Sequence, residues 1–140
     1  MAKLRVLVLD DEPIVGQRVR AILSKLECEI EVYDRPNEAF IRMHEKLFDV
    51  VISDIVMDEL DGLHLLEYSR RHCCKTKFIL ITGYANAEVV QSAMEKGAFD
   101  FLAKPFTPDE LRAAVTRAAC QVGQPAEDKP AASEEEQTKR

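Results

Sequence analysis

The four cysteines, Cys28, Cys73, Cys74 and Cys120, make no C-x-x-C pair, and no histidine stands at zinc-finger spacing from them. A structural zinc site is therefore not indicated, and the thiols read as reduced residues of a compartment that keeps them so. His44, His64 and His72 lack a second ligand three or four residues away, as a metal site on a helix would need, and are expected at the surface or boundary of amphipathic helices. Positive charge is also short. A net charge of -6 gives no electrostatic footprint for nucleic acid or for an anionic membrane, so direct nucleic-acid binding is not expected. Long apolar runs are missing as well. The start, Met1-Ala2-Lys3-Leu4-Arg5, enters a short apolar segment that stops at Asp10 and Asp11, which reads as neither a signal peptide nor a membrane span. A cytoplasmic chain with no membrane insertion is the expectation. No internal repeat and no helix-turn-helix output segment is evident.

What the chain does contain is alternation. Its 140 residues are enough for one domain with a sizeable core. Short strand-like runs alternate with helix-like segments over five rounds, up to a change of composition near Val122. Leu4 to Leu9, Val50 to Ser53 and Phe78 to Ile81 are almost continuously apolar, as central parallel strands covered on both faces must be. Glu29 to Tyr33 alternates polar with apolar and Ala98 to Ala103 is mixed, the pattern of edge strands.

The helices show in the spacing between these runs. Val15, Val19, Ile22, Leu23 and Leu26 recur at helical period behind Pro13, which suits a first turn. Ala39, Phe40, Met43 and Leu47 mark a second helix, and Leu63, Leu65, Leu66 and Tyr68 a third. Val89, Val90, Ala93 and Met94 mark a fourth, ending at Gly97. Thr107-Pro108-Asp109-Glu110 opens the fifth with a capping hydroxyl, a proline at the first helical position and a reciprocal glutamate. Residues 1–122 are thus expected to form an α/β domain, an open doubly wound parallel sheet with helices on both faces. Residues 123–140 are rich in Gln, Glu, Ala, Pro and Lys without an apolar period, and are expected to be a disordered tail.

Four strand-like runs end on residues able to bind a cation or a phosphoryl group: Asp10 and Asp11, Asp54, Thr82, and Lys104. In a doubly wound sheet the carboxyl ends of the strands share one edge, where ligands bind, so the four sites should converge. Carboxylates gathered there repel one another by about 4 kcal/mol per pair at roughly 4 Å and an effective dielectric near 20. Lys104 alone cannot offset this. A hard divalent ion with oxygen ligands would, and Mg2+ fits because it is held by one or two carboxylates plus substrate phosphate oxygens and water.

The set Asp10-Asp11, Asp54, Thr82 and Lys104-Pro105 resembles the active site of two-component response regulator receivers, and the resemblance covers residues 3 to 121. It implies a flavodoxin-like five-stranded sheet of order 2-1-3-4-5 in a chemotaxis-type single-domain receiver. It also implies Asp54 as phosphoacceptor, Asp11 as direct Mg2+ ligand, Asp10 as a metal organiser acting through water, and the backbone carbonyl of Val56 as a further ligand. Thr82 matches the hydroxyl that bonds the phosphoryl group, Lys104 the cation that pairs with it, and Phe101 the aromatic residue that moves on activation. Lys104-Pro105 resembles the family's cis peptide. Asp61-Gly62 matches the turn after the phosphoacceptor, with Asp58 where the family usually has a proline.

By the same resemblance the phosphoryl donor is a phosphohistidine of a histidine kinase or phosphotransfer protein. A downstream protein target would read the face made by the fourth helix, fifth strand and fifth helix. The chain is then a signalling phosphoacceptor and not an enzyme with turnover. Val56 and Tyr84 would border the path of an attacking water and, offering it little help, set a slow loss of phosphate. Two alternatives stay open. A receiver fragment of a larger regulator fits the same residues. A haloacid dehalogenase-type phosphatase also uses Asp, Mg2+ and Lys, but needs an acid two residues after the nucleophile, where Val56 stands.

Overall fold

Parallel strands β1 (Leu4–Leu9), β2 (Cys28–Tyr33), β3 (Val50–Asp54), β4 (Lys77–Thr82) and β5 (Asp100–Ala103) alternate along the chain with helices α1 (Pro13–Leu23), α2 (Pro36–Glu45), α3 (Gly62–His72), α4 (Ala87–Glu95) and α5 (Pro108–Cys120). The structure, a computed structural model, describes residues 3–55, 62–72, 75–83 and 87–121. The strands form one sheet in the order β2-β1-β3-β4-β5 with every neighbouring pair parallel. This is the doubly wound, flavodoxin-like architecture expected from the sequence. The chain leaves β1 for β2 on one side and returns for β3 on the other, which opens a crevice at the carboxyl end of β1 and β3.

Burial follows the composition of the strands. β3 is buried at every residue and β4 at all but its first, while β2 and β5 are mostly half-exposed, as their mixed sequences require at the sheet edges. Alternate residues feed two cores. On one face Val6, Val8, Ile52, Ile79 and Ile81 pack with Val19, Ile22 and Leu23 of α1 and with Leu111, Ala114, Val115 and Ala118 of α5. On the other, Leu7, Leu9, Val51, Phe78 and Leu80 pack with Ala39 and Met43 of α2, Leu66 of α3 and Ala93 of α4. α1 lies close to the sheet because Gly16 has no side chain; a Cβ there would stand 2.5 Å from Cγ1 of Val32.

The fifth helix begins as its sequence dictates. The Thr107 hydroxyl accepts from the Glu110 amide at 3.1 Å, and the Glu110 carboxylate accepts from the Thr107 amide at 2.8 Å. Elsewhere the boundaries differ from expectation. α2 stops at Glu45 because Lys46 is extended (φ -147, ψ 139), so Leu47 does not continue its apolar face but is 61% exposed, and Phe48 enters the core in its place. β5 starts at Asp100, not Ala98, because Gly97 turns the chain with φ +103 and Ala98 and Phe99 lead into the strand. β2 starts one residue early, at Cys28. Leu26 lies beyond the end of α1 yet still packs on the core, and Met94, expected on the apolar side of α4, is 44% exposed. His44 and His72 are exposed, each with Nδ1 against the carbonyl four residues earlier. Cys28 is half-buried and Cys120 exposed, neither in a disulfide. Cys73, Cys74 and residues 123–140 lie outside the described residues.

Candidate functional site

Strand register assembles the site before any side chain is considered. Leu9 pairs with Ser53, so Asp10 and Asp54 follow side by side at the ends of β1 and β3. Thr82 pairs with Ala103, so Lys104 lies one residue beyond the end of β4, and its amide donates to the Thr82 carbonyl at 2.9 Å. The Lys104-Pro105 peptide is cis.

The side chains then meet at the ammonium of Lys104. Nζ lies 2.8 Å from Oδ2 of Asp54, 2.9 Å from Oδ2 of Asp10 and 3.1 Å from Oε1 of Glu12. Asp10 and Asp54 are 1% and 6% exposed. The Glu12 amide donates to Oδ1 of Asp10 at 2.9 Å, which folds the chain back over the edge as it enters α1. Burial raises the pKa of Asp10, and the Glu12 amide and Lys104 offset this only in part. Burial would lower the pKa of Lys104, but its bond to Asp54 and its ion pair with Asp10 outweigh that and raise it, so the ammonium stays charged.

The donor set suits a hard divalent ion. Carboxylate oxygens of Asp10, Glu12 and Asp54 all lie within 4.8 Å of one another. Oδ2 of Asp10 is buried and, although close to Nζ, makes no aligned hydrogen bond. The cation beside this buried oxygen is a poorly aligned ammonium, and a hard divalent ion would satisfy it better, because all-oxygen ligand sets are what Mg2+ takes.

The sequence-predicted residues divide accordingly. Asp10, Asp54 and Lys104 come together in contact. Thr82 is fully buried at the end of β4, beside the lysine backbone it holds. Phe101 pairs in register with Leu80 and packs, half-buried, on the core beneath α2 to α4. Asp11 is exposed and stands outside the three gathered carboxylates. Val56, Asp58, Asp61 and Tyr84 lie outside the described residues. Glu12 was not anticipated. Its signal was present, a third acidic residue in succession after β1 and directly before the proline that opens α1.

Among the described residues no helix is long and apolar enough to cross a membrane. The family described as response regulator receiver domain matches residues 6–116. Regulatory protein AtoC of Escherichia coli K12 is 36% identical over 114 residues, which cover 81% of this chain and 25% of that protein. The DNA-binding transcriptional regulator NtrC of Salmonella typhimurium is 33% identical over 111 residues, covering 79% and 24%. The chain therefore spans about a quarter of the length of these curated relatives. Among solved structures, a response regulator receiver domain protein from Clostridium thermocellum superposes with a TM-score of 0.79 at 28% identity, covering 84% of this chain and 95% of that one. The haloacid dehalogenase alternative is set aside by these matches. Sequence match, strand order and superposition agree, and the chain belongs to the receiver domains of two-component response regulators.

Proposed function

We propose that this chain acts in the cytoplasm, where its Asp54 accepts a phosphoryl group from a phosphohistidine on a histidine kinase or phosphotransfer protein. The observation that carries this reading is the contact of 2.8 Å between the Asp54 carboxylate, at the end of a fully buried central strand, and the Lys104 ammonium. An Asp54 oxygen attacks phosphorus in line; the O–P bond forms as the N–P bond breaks, and the electron pair of the broken bond stays on the imidazole nitrogen. Lys104, kept charged by its carboxylate partners, stabilises the negative charge on the equatorial oxygens. Asp10, Asp11, Asp54 and the Val56 carbonyl would hold Mg2+, which when bound neutralises further charge on the transferred group. The Thr82 hydroxyl bonds a phosphoryl oxygen once the group is in place.

The reading extends to output. Phosphorylation draws Thr82 inward and lets the Phe101 ring turn into the space, which alters the α4, β5 and α5 face for a downstream protein. The Val56 side chain has no polar atom to orient an attacking water and the Tyr84 ring would cover its path, so hydrolysis of the acyl phosphate is expected to be slow; Val56→Asn or Tyr84→Glu should speed it. The same chemistry serves a stand-alone receiver or the receiver of a longer regulator. The decisive experiment is incubation with acetyl phosphate and Mg2+ followed by intact mass measurement. One hydroxylamine-labile phosphoryl group is expected on the wild type and none on Asp54→Asn; equal labelling of both would refute the assignment.

A further inference from the structure

We propose that Glu12 belongs to the cation site, pairing with Lys104 in the ion-free protein and turning to the divalent ion when one binds. This rests on the reading of Asp10 and Asp54 as ion ligands. Three carboxylate oxygens surround one ammonium at 2.8 to 3.1 Å, so Nζ already occupies a cation's place between them. Two of the three come from buried residues fixed at strand ends. The third comes from Glu12, whose side chain is 61% exposed and so has room to swing, while its backbone is pinned by the bond to Asp10 Oδ1 and by Pro13 at the start of α1. The buried Oδ2 of Asp10, with no aligned hydrogen bond, faces the same position.

Charge points the same way. The carboxylates of Asp10, Glu12 and Asp54 outnumber the one ammonium between them, which leaves a net negative charge that favours a divalent ion. Ammonium and ion repel each other at contact distance from the same oxygens, so ion binding favours a shift of Nζ aside on the flexible lysine stem. Glu12 loses its partner in that exchange and is left within reach of the ion, directly or through one of the waters Mg2+ retains. A bare surface ion pair between Glu12 and Lys104 would act only through the lysine, and that difference can be measured.

The test is Mn2+ binding to the full chain, followed by electron paramagnetic resonance, in wild type, Lys104→Gln, Glu12→Gln/Lys104→Gln and Asp54→Asn/Lys104→Gln. Thermal melts establish that each variant is folded. Removing the lysine charge should tighten Mn2+ binding, and adding Glu12→Gln in that background should weaken it about tenfold. A change within about twofold overturns the proposal, because Glu12 would then matter only as a partner of Lys104. If Asp54→Asn also leaves the affinity unchanged, the reading of the whole site as an ion site fails with it; if Asp54→Asn weakens binding and Glu12→Gln does not, only the role of Glu12 is lost.

Discussion

Burial raises the pKa of Asp10, because folding imposes on its charged form a desolvation cost that the unfolded chain does not bear. A raised folded-state pKa gives a stabilising contribution that is full below the unfolded value and lost as pH rises through the folded one. Asp10→Asn should therefore stabilise the ion-free protein at neutral pH by on the order of 1 kcal/mol, since Lys104 keeps Asp54 and Glu12 as partners. A melt in EDTA checks this, and added Mg2+ should raise the wild-type midpoint more than the variant's. A lower midpoint for Asp10→Asn in EDTA would contradict the account. Glu31 behaves oppositely. Arg42 reaches it with Nε at 2.7 Å and a terminal nitrogen at 2.9 Å, and these bonds lower its pKa from 4.5 to about 2 despite some burial. Its contribution is present above 4.5 and lost as pH falls through about 2. Glu31→Gln should flatten the fall in stability across that interval, measured by urea unfolding at stepped pH.

The turn between α4 and β5 hangs on Gly97. Its φ of +103 is a conformation L side chains rarely adopt, and a Cβ would meet the Arg70 side chain at 2.5 Å. Arg70 is long and can yield, so the backbone decides: Gly97→Ala should cost about 1 to 2 kcal/mol in urea unfolding. An unchanged midpoint would show that the turn relaxes freely. This glycine was legible in the sequence as a helix stop, as were the capping box at Thr107 and the polar residues that end the apolar strands, because each is a local preference that tertiary packing reinforces. Leu47 was misread for the opposite reason. Its spacing from Met43 continues a helical period, but the backbone has already turned extended at Lys46, and Phe48 fills the core instead. The convergence of Asp10, Asp54 and Lys104 could be read from strand ends alone; the arrival of Glu12 could not, since it depends on how the chain folds back between β1 and α1.

Across the whole molecule the sheet is unevenly stiff, and this decides where a change at Asp54 can travel. β1 and β3 lie at its centre, with β3 buried throughout, whereas β5 is an edge strand of four residues that is nowhere fully buried. The Lys104 amide bonds the Thr82 carbonyl, so a shift of either residue at the site pulls on the end of β5. From there Asp100 pairs with Arg117 of α5, and Phe101 packs on the core that α4 shares through Ala93. Displacement is therefore expected to run toward α4, β5 and α5 and not into the buried pairing of β1 with β3. Beryllofluoride, an acyl phosphate mimic, should move amide resonances of α4, β5 and α5 well beyond those of α2 and β2. Phe101→Ala should retain phosphorylation by acetyl phosphate yet lose most of that distant response, because the half-buried ring is the piece of β5 that packs on the α4 side. Shifts confined to the carboxyl ends of β1 and β3 in the wild type, or a Phe101→Ala response equal to the wild type's, would mean that this face is not coupled to Asp54 through β5.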